Sequence, residues 1–241
     1  MKCIKIEYDS ENYYDLYDLE IEGGTHNYIA SGIVVHNTWC CFGVYPDAIE
    51  PQFPEQRIVV TSKGLSSKGL AFKDNEANEN NLYMRMYRKL FTEEVLSHFK
   101  QHSDYAEVTT ISGQPIFFLG EIFGRDVQDL QYGLNDIHFR LFDIYHGHPG
   151  RGQYLNVDEL QSTIDLYGLD MELVPELYRG ELTPDTLRQY TDGMDTITGS
   201  HIREGIVIKP LREMENAFTG RTILKSVSET YINRKNGTEY N

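Results

Sequence analysis

The sequence predicts an α+β fold built on antiparallel sheets, preceded by a short all-β segment. Beyond residue 38, helical and extended patterns do not alternate regularly, which argues against a doubly wound parallel sheet. Residues 1–37 contain only extended patterns and turns, and so short an all-β segment is too small to fold alone. We therefore divide the chain into residues 1–37 and residues 38–241.

Hydrophobic periodicity and turn residues define the predicted elements. In the first segment, an alternating strand at 17–21 ends at Gly23-Gly24, and an extended pattern resumes over 26–35. Asn156 and Glu159 are spaced as a capping box, and Pro184 is typical of a first helical turn. Helices are predicted at 82–102, 156–167 and 183–193. Further strands are predicted at 57–62, 116–123, 139–145, 206–208 and 222–227.

Composition limits the class of protein. The formal net charge of −15 argues against a surface that is basic throughout, but a local cationic site could still bind nucleic acid. No apolar run approaches the length of a membrane span and no signal peptide is visible, so no membrane partner is expected. The three cysteines form neither a disulfide framework nor a C-x-x-C metal pattern, which predicts a cytoplasmic protein.

Three strings near the N-terminus occur in a fixed order and end at a His-Asn pair followed by a hydroxyl residue. They are YDLEI at 17–21, THNYIA at 25–30 and GIVVHNT at 32–38. An isolated His-Asn pair is most often an ordinary loop, so the whole string carries the signal. This string resembles the C-terminal splicing blocks of inteins, whose Hint-type fold is all-β.

The intein resemblance implies a splicing role for the residues at the junction. The Asn37 side-chain amide can attack its own backbone carbonyl and so cleave the following peptide bond. His36 can polarise that carbonyl or protonate the leaving amine, and the Thr38 hydroxyl would accept the upstream acyl group beforehand. Asp18 and His26 belong to the supporting block and would orient or tune these transfers.

An intein also needs an N-terminal segment that carries the first nucleophile. None precedes Met1, so we expect a split intein whose N-intein is a separate polypeptide; a truncated gene is the alternative. Association of the two halves would then be coupled to folding.

Five short strings follow Thr38 in a fixed order: SKG at 62–64, FLGEIFG at 118–124, FRLFDIY at 139–145, EGIVIK at 204–209 and LKSVS at 224–228. Their order resembles the motifs of the covalent nucleotidyltransferase superfamily, which contains ATP-dependent ligases and mRNA-capping enzymes with an ATP-grasp-like core. The first motif of that superfamily, a K-x-[D/H]-G string with the nucleophilic lysine, is missing. Thr38 would follow its glycine directly, so the resemblance implies that a partner half, an N-extein joined to the N-intein, carries the lysine.

The superfamily resemblance implies a reaction with ATP and a divalent metal, Mg²⁺ or Mn²⁺. The lysine would attack the α-phosphate, AMP would pass to an RNA 5′-phosphate, and an RNA 3′-hydroxyl would displace it. Lys209 and Lys225 are expected on the phosphate, with Lys63 as a further contact. Glu204 would bind the metal or orient the lysine.

Glu121 and an aromatic residue complete the predicted nucleotide site. Glu121 shares strand parity with Phe117 and Leu119, and an acid on an apolar face is costly unless it has a partner. By resemblance that partner is the ribose of the nucleotide. Phe139 could stack on adenine, with Phe142 as its rival.

The last two strings leave open points. Glu204 and Lys209 are five positions apart, which places them on opposite faces of a straight strand. Both can reach one pocket only if the strand has a bulge or Glu204 lies on the preceding loop. Val227 stands where the superfamily usually has a second lysine, and Arg234 or Lys235 could replace that lysine.

The end of the chain favours an RNA ligase within the superfamily. Only 16 residues follow Lys225 (241 minus 225), which is too short for the OB domain of DNA ligases and capping enzymes. The predicted function is therefore to join RNA 3′-hydroxyl and 5′-phosphate ends, on a duplex or not. The alternatives are a DNA ligase or capping-type enzyme, and a non-catalytic remnant with splicing activity alone. Without the lysine, the isolated chain is expected to be inactive.

Overall fold

The computed structural model describes residues 13–15, 38–45, 57–104, 114–127, 132–216 and 220–234 of the 241-residue chain. Thr38 and the predicted ligase residues lie inside these ranges, except for Lys235, which lies outside them. Four predicted splicing residues lie outside them: Asp18, His26, His36 and Asn37.

Eight strands in the described part of the chain form one sheet, in the order β1-β4-β3-β2-β5-β6-β7, with β8 paired to β6. All pairs are antiparallel except β6 with β8, so the predicted α+β class with antiparallel sheets is confirmed. The strands are β1 (Tyr13–Asp15), β2 (Trp39–Val44), β3 (Ile58–Ser62), β4 (Leu70–Phe72), β5 (Ile116–Gly124), β6 (Ile137–His146), β7 (Gln153–Tyr154) and β8 (Glu172–Leu173).

Four further strands form two small antiparallel pairs. Strand β9 (Gly205–Ile208) pairs with β12 (Leu224–Val227), and β10 (Glu215–Asn216) pairs with β11 (Gly220–Arg221). Glu204 therefore precedes β9 and lies on the loop before it. Glu204 is therefore not held to the parity of the strand, which is one of the two arrangements that its five-residue spacing from Lys209 allows.

The helices are α1 (Lys63–Ser66), α2 (Leu82–Leu90), α3 (Glu93–Asp104), α4 (Val157–Leu166), α5 (Pro184–Thr191) and α6 (Glu229–Ile232). Both helix starts predicted from capping residues are confirmed: Asn156 and Glu159 form a capping box before α4, and Thr183 caps α5. None of the helices in the described ranges is long and apolar enough to span a membrane.

The predicted single helix over 82–102 is wrong, because two helices occupy this stretch. The backbone leaves the helical conformation at Phe91, and the Thr92 hydroxyl then accepts a hydrogen bond from the Val95 amide at 3.4 Å. Glu93 and Glu94 follow in the first turn of α3, where negative charge is favourable. Thr92 therefore acts as an N-cap inside an apolar pattern that otherwise continues with helical spacing.

The large sheet has an apolar cluster on each face. One cluster packs the sheet against α2, α3 and α4, and includes Phe42, Phe118, Ile122 and Phe139. The smaller cluster lies on the opposite face and consists of Trp39, Cys41, Phe117, Leu119 and Phe142. Glu121 continues the parity of Phe117 and Leu119 along β5, so it belongs to the face of the smaller cluster, which we call the site face.

Candidate active site

A β-bulge in β6 turns Phe142 toward the site face. Leu119 pairs with Asp143 but Gly120 pairs with Leu141, which leaves Phe142 as an extra residue in β6. A bulge of this kind re-aims a side chain relative to the regular alternation of the strand. Phe142 consequently packs with Leu119 in the smaller cluster, and it also borders a cavity of about 430 Å³.

Phe139, predicted as the ring that stacks on adenine, lies on the other face of the sheet. Its ring contacts Phe42 edge-on, with centroids 5.3 Å apart, inside the large cluster. It also packs so closely on Gly120 that a Cβ atom there would lie 2.2 Å from the ring. Phe139 is therefore a core residue in this structure, which disagrees with its predicted stacking role, whereas its rival Phe142 lies on the site face.

Glu121 is buried and accepts a hydrogen bond from the first residue of the proposed ligase segment. The Thr38 hydroxyl donates to Glu121 Oε2 at 2.7 Å, and both residues are buried. The Ile122 amide donates to the Thr38 carbonyl at 3.2 Å, which holds the backbone of Thr38 beside β5. This contact was not predicted, because the sequence pattern links Thr38 to splicing alone.

The surroundings of Glu121 make its carboxyl group more basic. Burial raises the pKa of Glu121 well above its usual value, and the nearby carboxylate of Glu204 raises it further. The hydrogen bond from Thr38 and the positive charges of Lys63 and Lys225 lower the pKa only in part. The charges of one further carboxylate and two lysines therefore act on Glu121.

Glu204 and Lys225 form an ion pair next to this centre. Lys225 Nζ lies 3.0 Å from Glu204 Oε1, and the side chain of Lys225 is 24% exposed whereas that of Glu204 is 6% exposed. The Ser228 amide donates to the Glu204 carbonyl at 2.8 Å, and the Ser228 hydroxyl donates to Asp192 at 2.5 Å. The backbone of Glu204 is thus fixed by its contact with Ser228, while the Lys225 ammonium group remains accessible to a ligand.

Lys209 has a different environment from the one predicted. Its ammonium group is ion-paired with Asp143 and donates to the Phe142 carbonyl at 3.0 Å, and its side chain is only 7% exposed. Asp143 also accepts two hydrogen bonds from Arg221, at 2.6 and 2.8 Å, and Arg221 pairs with Glu213. The charges of these four residues cancel, and in this structure Lys209 is held in that buried network and is not exposed to solvent.

Lys63 and Glu204 are the remaining predicted contacts with phosphate and metal. Lys63 is exposed at the start of α1, directly after Ser62 caps that helix. Among the described residues, no group of three or more His, Cys, Asp or Glu side chains could hold a metal alone. Mg²⁺ commonly binds one or two carboxylates together with substrate phosphates, and Glu204 fits such a site.

A family model that describes RNA ligases matches residues 34–227, which is most of the chain. The chain belongs to the RNA ligase family. The match begins four residues before Thr38 and ends at Val227, so it contains all the ligase residues predicted from the five strings. No curated protein matches the chain.

Solved structures support the same fold for this RNA ligase family member. A mutant of Naegleria gruberi RNA ligase with ATP and Mn, and the same ligase with PPi, each match with a TM-score of 0.56 and 19% sequence identity. Another mutant, with AMP and Mn, matches with a TM-score of 0.57. Each alignment covers 85% of this chain and 50% of the Naegleria chain, so this chain spans about half the length of that ligase.

Proposed function

We propose that this chain is the C-terminal part of an ATP-dependent RNA ligase that becomes active by protein splicing. The observation that carries the proposal is the hydrogen bond between Glu121 and Thr38, the residue that splicing would attach to the missing lysine motif, together with the Glu204–Lys225 ion pair whose charges act on Glu121. RNA 3′-hydroxyl and 5′-phosphate ends would be the substrates. The partner would be an N-terminal half that ends in that motif and an N-intein.

In the proposed ligase reaction, the lysine of the partner half attacks the α-phosphate of ATP, and pyrophosphate leaves. Lys225 and Lys63 offset negative charge that develops on the phosphate. Glu121 accepts a hydrogen bond from the ribose, and Phe142 stacks on the adenine. A divalent ion such as Mg²⁺ or Mn²⁺, when bound through Glu204, supplies further charge neutralisation. The Naegleria structures solved with ATP and Mn support this choice of nucleotide and metal.

In the proposed splicing reaction, the Thr38 hydroxyl takes the acyl group of the partner half and Asn37 then cyclises. His36 assists the cleavage at Asn37, while Asp18 and His26 orient the reacting groups. The order of the intein-like strings over residues 17–38 supports this part of the proposal.

A second candidate is an unspliced ligase relative without catalytic activity. The start of the family match at residue 34 favours it, because His36 and Asn37 then fall inside the ligase region. No lysine stands at positions 34–37, so such a chain could bind a nucleotide but could not form a lysyl-AMP adduct.

One experiment tests the proposal and separates the two candidates. The chain is mixed with the partner half, and the products are incubated with labelled ATP and magnesium and analysed by mass spectrometry. We expect a spliced product that lacks residues 1–37 and carries one AMP, while this chain alone carries none. Asn37→Ala should prevent release of residues 1–37, because alanine has no side-chain amide, whereas the exposed Asn135→Ala should splice normally.

Each part of the proposal has its own contradicting result. Normal splicing of Asn37→Ala would show that the intein assignment is wrong. A spliced product that takes no AMP would exclude the ligase reaction but leave splicing intact. Recovery of the full-length chain, with residues 1–37 still attached, would favour the second candidate, a ligase relative that does not splice.

A further inference from the structure

Thr38 and Glu121 are joined by a hydrogen bond that links the two proposed reactions. The bond runs from the Thr38 hydroxyl to Glu121 Oε2, is 2.7 Å long, and connects residues 83 positions apart in the sequence. Trp39 pairs with Glu121 in the register of β2 and β5, so the first strand after the junction fixes this contact. The proposed splicing nucleophile therefore lies against a carboxylate that belongs to the ligase.

A threonine hydroxyl needs a base to become an effective nucleophile near neutral pH. An ionised carboxylate can accept the proton if it lies within hydrogen-bond distance, and 2.7 Å meets this requirement. The residues from which an intein would supply its own base lie outside the described ranges. Within the part of the chain that the structure describes, the carboxylate that accepts a hydrogen bond from Thr38 is that of Glu121.

We propose that Glu121 of the ligase acts as the general base that activates Thr38 during splicing. The inference rests on the splicing reaction proposed above. Glu121 takes the hydroxyl proton as Thr38 Oγ1 forms an ester bond with the acyl carbon of the partner half. The bond from that carbon to the first N-intein nucleophile breaks, and the proton passes on to this leaving sulfur or oxygen, which regenerates the carboxylate.

The charges around Glu121 suit this role. Burial raises the pKa of Glu121, which strengthens it as a base, and the carboxylate of Glu204 acts in the same direction. Lys63 and Lys225 oppose the shift and favour the ionised form that accepts the proton. Burial, with a smaller contribution from the charge of Glu121, raises the pKa values of Cys40 and Tyr83, which favours their neutral forms.

The proposal makes splicing depend on the folding of the ligase segment. Glu121 approaches Thr38 only when β2 and β5 are paired. The acyl transfer would therefore be slow until this part of the sheet has formed, and the partner half would be joined to a folded ligase segment. After splicing, the free Thr38 hydroxyl can donate to Glu121 again in the mature enzyme.

The test measures splicing of Glu121→Gln with the partner half. Glutamine keeps the shape and can still accept a hydrogen bond, but it cannot take a proton. We expect acyl transfer to Thr38 to slow by about 100-fold, with more cleavage of the N-terminal thioester or ester. Glu94→Gln, an exposed change of the same type on α3, should splice at the normal rate.

A second substitution separates loss of a base from loss of structure. Thr38→Cys replaces the hydroxyl with a thiol, which is far more acidic and more nucleophilic than a hydroxyl even where burial raises its pKa, so it depends less on a base. In that background, Glu121→Gln should slow splicing by less than about tenfold, because the thiol depends less on the base. An equally large loss in both backgrounds would show a structural role and overturn the proposal.

Two other outcomes are decisive. If Glu121→Gln splices as fast as the natural pair or faster, Glu121 is not the base. If the natural pair does not splice at all while the ligase segment is folded, the proposed splicing itself fails, and the role of Glu121 fails with it.

Discussion

Lys209 and Lys225 occupy similar places in their motifs but meet different carboxylates in the folded chain. Lys209 belongs to a buried network in which Asp143 also binds Arg221. Lys225 pairs with Glu204 and keeps about a quarter of its side chain exposed. A cation must be accessible to a ligand before it can contact a phosphate, and of these two lysines Lys225 is the accessible one.

The first prediction compares these two lysines in the spliced enzyme. Lys225→Met should reduce the single-turnover rate of AMP-adduct formation by at least about 100-fold, because one phosphate-stabilising cation is lost. Lys209→Met should instead lower the free energy of unfolding by about 2 kcal/mol, because Asp143 loses a buried hydrogen-bonding partner. The folded fraction of Lys209→Met should still form the adduct within about tenfold of the natural rate. The reverse pattern would restore Lys209 as the phosphate contact.

At the scale of elements, the sequence predicts strands whose apolar and β-branched runs are long. The five strands predicted beyond residue 38 are confirmed as β3, β5, β6, β9 and β12, with ends that differ by no more than two residues. Strand β2 was missed, although its WCCFGV run is continuous and every residue in it is buried. Such a run is typical of a strand covered on both faces, where alternation gives no signal.

The parts of the site that sequence could not predict depend on contacts between distant elements. Strict alternation along β6 cannot reveal the bulge that places Phe142 on the site face. The pairing of Asp143 with Lys209 and Arg221 joins β6, the residue that follows β9, and β11, which no local pattern connects. By contrast, the parity of Glu121 with Phe117 was sufficient to place it on the correct face, because β5 has no bulge of its own.

The junction between α5 and Glu204 gives a prediction at this scale. The buried Arg203 guanidinium donates to the carbonyls of Tyr190 at 2.5 Å, Asp192 at 2.8 Å and Met194 at 3.2 Å. It therefore caps the C-terminal end of α5, where a positive charge is favourable, and fixes the chain directly before Glu204. Arg203 is a positioning residue that sequence analysis did not identify.

Arg203→Lys should lower the free energy of unfolding by about 1–3 kcal/mol, because one ammonium group cannot serve three carbonyls as a planar guanidinium does. In the folded enzyme, the kcat of adduct formation should fall by a larger factor than the KM rises, because Glu204 is displaced while Lys225 remains. Arg188→Lys is the control, since Arg188 lies on the exposed side of α5 and should change stability by less than about 0.5 kcal/mol. Denaturant unfolding and adduct kinetics would measure both effects. An unchanged free energy of unfolding in Arg203→Lys would contradict the capping role.

At the scale of the whole molecule, the chain is acidic and many of its described cations are already paired. The net charge is −15. Six arginines and lysines away from the site form ion pairs with acidic side chains: Arg88, Lys89, Arg125, Arg140, Arg179 and Arg188. Nucleic-acid affinity without sequence preference comes mainly from cations that neutralise phosphates. An RNA partner of the proposed ligase would therefore be held mainly by the cations that are not already paired and by those of the proposed partner half.

The last prediction follows from this charge balance. The isolated chain should bind RNA with a Kd weaker than about 100 µM near physiological salt, and its affinity should fall only slightly between about 50 and 200 mM salt, because it neutralises few phosphates. Fluorescence anisotropy with a labelled RNA that carries a 5′-phosphate measures both quantities, and the same RNA without the phosphate is the control. The spliced protein should bind more tightly, since it gains the cations of the partner half. A Kd below about 1 µM for the isolated chain, with a steep salt dependence, would instead reveal a continuous basic surface on this half of the ligase.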